Sequence, residues 1–247
     1  MEKHGRAGCR LRLRPGPAGL CVRPVSGAWT EQTLHFIDFE GSLGSGILEY
    51  GVVSLRGGEI LDTHTRLCRA SGRVRREDVA VHGLAEASVA GCEPFSGEFE
   101  RFAALRASGP LAAHFAQAET TLLKAAWPYP RTSPDFLSPG GAVTDWGPWI
   151  DTGRLYPHLY PTLPSAKLEH LITTFGLQSR LDELAGRFCP SARRQYHAAL
   201  YDALAGALLL QRLTGEPAVA GQSLAWLLTE STRDPVRRAA LNQGELF

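Results

Sequence analysis

Three segments rich in β-forming residues, separated by short connections, constrain the fold of this chain more than any other feature. They run from Leu34 to Phe39, from Ile47 to Leu55 and from Glu59 to Leu67. The first is a short apolar run typical of a buried strand, and Gly57-Gly58 marks a turn between the second and the third. The sequence therefore predicts a meander of three strands.

Strand and helix signals alternate after this meander. Apolar residues at helical spacing predict a helix from Phe95 to Arg106, which Ser108-Gly109-Pro110 ends. A short strand from Pro110 to His114, a helix from Ala116 to Trp127 and a strand end at Trp149 to Thr152 follow. Further helices are predicted at Ser165 to Phe175, Ala192 to Leu213 and Gln222 to Thr229. This order is typical of an α/β fold with a mixed sheet flanked by helices.

The composition is that of an ordinary globular protein. Its 247 residues suffice for one well-cored domain with extensions, and 44% of them are hydrophobic. The apolar run from Ala203 to Leu210 falls short of the ~18 residues that a membrane span needs, so no membrane association is predicted. The cysteines are odd in number and form no CxxC pair, which favours free thiols in a reducing cytoplasm.

The charge is distributed unevenly along the chain. Residues 1–30 carry six basic side chains against the acid Glu2, a net +5, so the rest carries −4 for the whole chain to total +1. This basic arm lacks the apolar core of a secretory signal and is predicted to be disordered. We expect residues 31–213 to form the main domain and residues 214–247 a C-terminal helix and tail. A phosphodiester ligand would need local basic patches and metal ions.

Two carboxylates project from one face of the first predicted strand. Asp38 and Glu40 are two residues apart, which places both side chains on the same face, about 7 Å apart along the strand. Acids this close repel each other unless a cation lies between them, and Mg²⁺ or Mn²⁺ prefers oxygen ligands. Taken alone, the pattern also fits solvated acids at an exposed strand end.

A histidine and an acid open the long helix near the C terminus. His197 and Asp202 are separated by about 140° of helical rotation, so they cannot share a face if both are helical. Placing His197 in the loop before the helix and Asp202 in its first turns lets the imidazole lie over a metal held by Asp202. Asp202 lies among apolar residues, where an unpaired acid would be costly. The alternative for His197 is a capping or surface histidine.

A third pair of residues lies where the fourth strand meets its helix. His114 ends the strand, and Glu119 falls one turn into the following helix, where an acid also suits the helix dipole. By itself, Glu119 fits a surface acid in a first helical turn equally well.

Together, the order, spacing and context of these residues resemble the DEDDh, or DnaQ-like, 3′–5′ exonuclease family, which has the ribonuclease H-like fold. The resemblance covers roughly residues 33–213 and includes the turn His82-Gly83-Leu84 and the strand end Ile150-Asp151-Thr152. The residues that match its three motifs are, in order, Asp38 and Glu40, His114 and Glu119, and His197 and Asp202.

The chain departs from the family pattern in the second motif. Glu119 stands where Asp is usual, Phe115 where Asn is usual and Ala118 where Phe is usual. Glutamate keeps the charge and the oxygen ligands but is one methylene longer. These changes put the rate and the metal preference in doubt, and they leave open a catalytically weakened, nucleic-acid-binding or polymerase-associated module.

The resemblance implies a hydrolase that releases nucleoside 5′-monophosphates from a nucleic-acid 3′ end. Two divalent cations, Mg²⁺ or Mn²⁺, would be held by the motif acids Asp38, Glu40, Glu119 and Asp202. His197 would be the general base, since imidazole titrates near neutral pH. The expected substrate contacts are Gly41, Ser42, Leu43, His114, Phe115, Arg193 and Arg194. For the two arginines, solvated loop charges are the alternative.

The substrate class stays open at this level. Single-stranded DNA, in proofreading, repair or end trimming, is the first expectation and RNA the alternative, because contacts to the 2′-hydroxyl are not visible in a sequence. The long loop predicted for residues 128–148 contains Trp146, for which base stacking and core packing are the two alternatives. For Trp149, core packing is favoured. An unrelated α/β domain with coincidental acids is a further alternative.

The last five residues resemble the sliding-clamp-binding pentapeptide of bacteria. Gln243, Leu246 and Phe247 match it, whereas the usual second-position leucine is missing. The match predicts a tether to a replication clamp, and a chance match of a short signal is the alternative.

Overall fold

A computed structural model describes Leu13, residues 27–138 and residues 140–232. Most of the basic arm and the predicted clamp-binding residues Gln243, Leu246 and Phe247 lie outside this part of the chain. Within it, no helix has the length and apolar character needed to cross a membrane.

A mixed five-stranded sheet forms the centre of the described fold, as predicted. Along the chain the strands are β1 (Leu34–Ser42), β2 (Gly46–Arg56), β3 (Glu59–Leu67), β4 (Leu111–Ala113), β5 (Ser133–Pro134), β6 (Ala142–Val143) and β7 (Trp149–Asp151). The main sheet has the order β3-β2-β1-β4-β7, while β5 and β6 pair separately. The first three strands are antiparallel, which confirms the meander, and β4 and β7 continue the sheet in parallel.

Helices cover both faces of this sheet. They are α1 (Arg76–His82), α2 (Glu86–Val89), α3 (Phe99–Ser108), α4 (Gln117–Ala126), α5 (Thr152–Leu159), α6 (Leu168–Thr174), α7 (Gln178–Phe188), α8 (Ala199–Thr214), α9 (Pro217–Ala220) and α10 (Leu224–Ser231). Phe36 of β1 belongs to the core that contains α8, whereas Ile37 belongs to the core that contains α3 and α4. Successive side chains of β1 therefore alternate between two apolar cores.

Close packing places the N terminus of α8 beside β1 and β2. A Cβ atom on Gly206 of α8 would lie 2.0 Å from the ring of Phe36 on β1. A Cβ atom on Gly51 of β2 would lie 2.3 Å from the carbonyl oxygen of Ala199, the first residue of α8. Glycine at these two contacts allows the backbone of the helix and the strands to approach.

Two of the differences from the predicted helices have a clear physical cause. The helix predicted from Ala192 begins only at Ala199, because His197 before it has a left-handed backbone with φ of 62°, which a helix cannot contain. Helix α7 was not predicted; it buries Leu181 and Leu184 beneath a largely polar surface that hides its periodicity in the sequence.

The segment between α4 and β7 is anchored to the protein. Trp146 is fully buried, and its Nε1 donates a hydrogen bond to the carbonyl oxygen of Trp127 at 2.9 Å. The buried guanidinium of Arg106 donates to the carbonyl oxygens of Asp145, Pro134 and Gly147. Stacking of Trp146 on bases is therefore wrong, and Trp149 is buried in the same core, as favoured.

The apolar core reaches beyond residues 31–213. Trp29, only 1% exposed, donates from Nε1 to the carbonyl oxygen of Val219, and its backbone N–H donates to Gln222. Ala28 pairs with Ser223 in an isolated β-bridge, directly before α10. The segment before β1 and the helices after α8 thus belong to one packed unit.

Candidate active site

The two acids of the first motif lie on β1, on the face that α8 covers. Phe39 between them packs into the opposite core, so Asp38 and Glu40 share a face as predicted. Glu40 is buried and Asp38 is half-buried. The register of β1 against β2 shifts between Glu40 and Gly41, so regular pairing ends directly after the second acid.

His197 and Asp202 meet these acids from the N terminus of α8. His197 lies before the helix and is exposed, whereas Asp202 lies in its first turn and is buried. The backbone N–H of His197 donates to Oδ2 of Asp202 at 2.9 Å. The predicted arrangement, with a loop histidine next to a helical acid, is the one that the structure has.

Ligand atoms of Glu40, His197 and Asp202 lie within 4.8 Å of one another. Burial and the neighbouring acids raise the pKa of Glu40 to about 8 and that of Asp202 to about 7. Burial and the charges of Asp202, Glu40 and Glu119 raise the pKa of Asp38 well above its ordinary value. The acids therefore repel each other when ionised, as expected of a site that needs a cation.

Glu119 approaches the same cluster from α4. It is 5% exposed, and burial followed by the charge of Asp151 raises its pKa to about 8. Its charge also contributes to the raised pKa values of Asp38 and Glu40. Glu119 is thus an electrostatic member of the cluster, as Asp38 is, although both lie outside the trio whose ligand atoms come within 4.8 Å of one another.

Two carboxylate oxygens of the cluster are buried without a partner. Oε2 of Glu119 and Oδ1 of Asp202 accept no hydrogen bond within the described residues. Buried polar atoms normally have a partner, and an orphaned carboxylate oxygen is a ligand that a hard cation would satisfy. Carboxylate oxygens are the ligands that Mg²⁺ and Mn²⁺ prefer, so the acids of the cluster fit either cation.

A left-handed turn at Phe115 sets the start of α4. Phe115 has φ of 60°, and the carboxylate of Asp151 accepts the backbone N–H groups of Phe115, Ala116 and Arg154. The ring of Phe115 lies over Gly153, where an added Cβ would come within 2.6 Å of it. Asp151 therefore holds the turn that orients the helix carrying Glu119.

His114 is held inside the protein through both ring nitrogens. Nε2 donates to the carbonyl oxygen of Ala166 at 2.8 Å, so Nδ1 of the neutral ring accepts from the hydroxyl of Thr152 at 2.9 Å. Burial lowers the pKa of His114 to about 4, in agreement with a neutral ring. Its contact with substrate stays a prediction.

The two arginines before His197 also have protein partners. Arg193 pairs with Glu49 of β2, and Arg194 donates to the carbonyl oxygens of Cys189 and Gly186. Their contact with substrate phosphates likewise stays a prediction. Sequence reasoning missed Glu49, whose only signal was an acid within the otherwise apolar segment from Ile47 to Leu55.

The turn after Glu40 opens onto a cavity. Gly41 has φ of 137°, and a Cβ there would lie 2.2 Å from the carbonyl oxygen of Gly46, so this turn requires glycine. Leu43 at its tip is 68% exposed. A cavity of about 300 Å³ lies beside the turn and is lined by Ser42, Leu43, Gly46, Arg69, Phe95 and Leu122.

Comparison with known proteins gives structural matches only. No protein-family model matches the chain. No curated protein matches it either.

Several solved structures of exonucleases share this fold. Exonuclease X in complex with 5′ overhanging duplex DNA matches with a TM-score of 0.55 and 22% identity, covering 79% of this chain and 99% of that one. The nuclease domain of 3′hExo, a DEDDh family member bound to rAMP, matches with a TM-score of 0.53 and 17% identity, covering 78% and 96%. Exonuclease I matches with a TM-score of 0.58 and 14% identity, covering 85% of this chain and 45% of that one.

The resemblance seen in the sequence is thereby confirmed in three dimensions. The order of the strands in the sheet and the helices on both of its faces agree with the predicted fold. The chain has the ribonuclease H-like fold of the DnaQ-like, DEDDh-type 3′-exonucleases.

Proposed function

We propose that this protein is a 3′–5′ exonuclease that hydrolyses phosphodiester bonds with the help of two divalent cations. The observation that carries the proposal is the cluster of buried acids where β1 meets α8, with His197 exposed beside it. Raised pKa values and orphaned oxygens are hard to explain if these acids serve stability alone.

The residues of the cluster have distinct tasks in this proposal. Asp38, Glu40 and Asp202 would hold the cations, with Glu119 completing the set from α4. The bound cations would supply positive charge for the scissile phosphate and acidify the attacking water. His197 is free to face solvent and substrate, and its imidazole would accept the proton of that water as general base.

The exposed turn from Gly41 to Leu43 is the proposed contact for the 3′-terminal nucleotide. Backbone groups of a glycine turn can approach a sugar closely, and Leu43 offers an apolar surface to a base. The product would be a nucleoside 5′-monophosphate.

The substrate is proposed to be a single-stranded 3′ end, with DNA first and RNA as the alternative. The structural matches include Exonuclease X in complex with 5′ overhanging duplex DNA and a 3′-exonuclease with 3′-end specific recognition of the histone mRNA stem-loop, so both DNA and RNA are ligands of proteins with this fold. Proofreading, repair or end trimming in the cytoplasm would use such an activity. The clamp contact of Gln243, Leu246 and Phe247 stays a prediction, and a clamp pull-down with and without residues 243–247 tests it.

The direct test uses 5′-labelled single-stranded DNA and RNA of the same sequence. Each is incubated with the purified protein and Mg²⁺ or Mn²⁺, with EDTA and the Asp38→Ala variant as controls. We expect a metal-dependent ladder that shortens from the 3′ end and is absent in the folded variant. No cleavage of either substrate would contradict the proposal and favour the nucleic-acid-binding alternative, with Phe115 and Glu119 as the first residues to revert.

A further inference from the structure

We propose that the buried Glu49–Arg193 ion pair is a positioning device for the general base His197. This inference rests on the proposed function, because it assigns a task to residues that act through His197. Neither residue belongs to the acidic motifs, and the sequence predicted a different role, contact with substrate phosphates, for Arg193.

Glu49 lies in the sheet directly next to the cluster. Its Cα is the register partner of Glu40 across β1 and β2, and the side chain is almost fully buried, with the residue 2% exposed. Both of its oxygens are used: Oε1 accepts from Nε of Arg193 at 3.1 Å, and Oε2 accepts from Nη2. Oε2 also accepts the backbone N–H of Ala199 at 3.1 Å, at the first turn of α8.

Arg193 uses two further donors on backbone carbonyls. Nη1 donates to the carbonyl oxygen of His82 at 2.8 Å, where α1 ends, and Nη2 donates to that of His197 at 3.0 Å. A single guanidinium therefore connects β2, the end of α1 and the loop that carries the imidazole. With these partners in place, the guanidinium of Arg193 is directed into the protein.

The backbone of His197 needs this support. Its φ of 62° is unfavourable for a residue with a side chain, and such conformations persist only where the surroundings determine them. The N–H of His197 is fixed by Asp202 and its carbonyl by Arg193. Both peptide groups of His197 are thus held while its side chain stays exposed, the condition for a base that must reach a substrate without drifting.

The charges of Glu49 and Arg193 explain why both residues of the ion pair are needed. Glu49 adds a further acid beside the cluster, and Arg193, paired with it, supplies the opposing charge. A buried acid without its arginine would increase the repulsion in the site. A buried ion pair contributes little net stability, so its presence beside a strained residue fits a role in fixing one conformation.

The test is a double-mutant cycle in which Arg193→Lys is introduced into the native protein and into His197→Ala. Lysine keeps the charge but cannot bind Glu49 and two carbonyls with a planar fork. In the native background we expect kcat to fall about tenfold to a hundredfold with KM changed by less than about twofold. In the His197→Ala background the same substitution is expected to have no further effect, because the residue acts through the imidazole.

A matched control and a readout without substrate complete the test. Arg66→Lys disrupts another pair of an arginine with a buried acid, Glu98, and is expected to leave kcat unchanged. The imidazole signal of His197 in NMR spectra, identified by its loss in His197→Ala, is expected to be single and sharp in the native protein. It should broaden or split in Arg193→Lys and in Glu49→Gln, while thermal unfolding shows that both variants are folded.

The other outcomes contradict either the positioning role of the ion pair or the proposed function, and they can be told apart. A raised KM that persists in the His197→Ala background would make Arg193 a substrate contact. Equal losses of kcat in both backgrounds, with an unchanged imidazole signal, would make the pair merely structural. A native protein that cleaves nothing would contradict the proposed function instead, and the imidazole signal would then still decide whether the pair positions His197.

Discussion

Two left-handed turns deliver side chains to the same cluster, and they are built differently. The turn at Phe115 lies before α4, and the turn at His197 lies before α8. At the first, Asp151 accepts backbone N–H groups, and the ring of Phe115 packs on Gly153. At the second, an ion pair and Asp202 hold the backbone, and the imidazole stays exposed.

The difference follows from what each turn must present. The first turn orients a helix so that a buried carboxylate, Glu119, faces the cluster, and the ring of Phe115 within it packs on Gly153. The second turn must leave one ring accessible, so only its backbone is fixed. The same strained backbone conformation thus accompanies a buried carboxylate at α4 and an exposed imidazole before α8.

The largest effect should come from Asp202→Asn. Asp202 accepts the backbone N–H of His197 and is also a proposed metal ligand, and this substitution separates the two roles. Asparagine can still accept the N–H of His197, so the turn should persist, but it removes a charged ligand. We expect metal-dependent cleavage to fall about 1000-fold or more, with the metal-free protein at least as stable as before. Cleavage assays and thermal unfolding in EDTA measure both, and retained turnover would show that Asp202 holds no cation.

Asp151→Ala should break the other turn. Three backbone N–H groups lose their acceptor, and since each unsatisfied buried donor is costly we expect about 3 kcal/mol less stability. Urea unfolding measures this loss. Glu119 should also be displaced, so the affinity for Mn²⁺, measured by calorimetry, should fall. A stable variant with native Mn²⁺ affinity would mean that packing of Phe115 alone holds the turn.

The acids of the cluster should make the metal-free protein sensitive to pH. Their pKa values, about 7 for Asp202 and about 8 for Glu40 and Glu119, lie above the ordinary range near 4 of the unfolded chain. Protonation of these carboxyl groups therefore stabilises the folded protein fully below about pH 4, and this stabilisation is lost as the pH rises through about 7 to 8.

We therefore expect the unfolding midpoint in EDTA to fall by at least roughly 4 °C between pH 6 and pH 8.5, since about 1 kcal/mol shifts it by roughly 2–4 °C. Saturating Mg²⁺ should flatten this dependence. A midpoint that rises with pH in EDTA would mean that the carboxylates do not repel each other in the folded protein.

The smallest effect is expected for Glu119→Asp. Aspartate is the residue usual at this position in the family that the sequence resembles, and it keeps the carboxylate charge. Activity should stay within about tenfold of the native value, whereas Glu119→Gln should lose more because it removes the charge. Complete loss of activity in Glu119→Asp would show that the turn at Phe115 holds α4 too far from the cluster for the shorter side chain.

The sequence was most informative where chemistry depends on local spacing. The alternation along β1 is a property of any strand, so Asp38 and Glu40 could be placed on one face without a structure. The rotation of a helix likewise excluded a shared helical face for His197 and Asp202, and the loop position followed.

Long-range contacts were the part that the sequence could not supply. Glu49 and Arg193 are far apart in the chain, and their pairing depends on the packing of α8 against β2. Trp146 lies in a segment whose composition is typical of a loop, yet it completes a core formed by other elements. Such residues are recognised only when the partner surface is known.

The bridge between Ala28 and Ser223 has a practical consequence for dissecting this protein. Because Trp29 is covered by the helices that follow α8, both sides of that contact are needed for a soluble fragment. A truncation to residues 31–213 would remove Trp29 and expose the apolar groove that it fills, inviting aggregation before any enzymology begins. Fragments for expression, tagging or crystallisation should therefore retain residues 27–232.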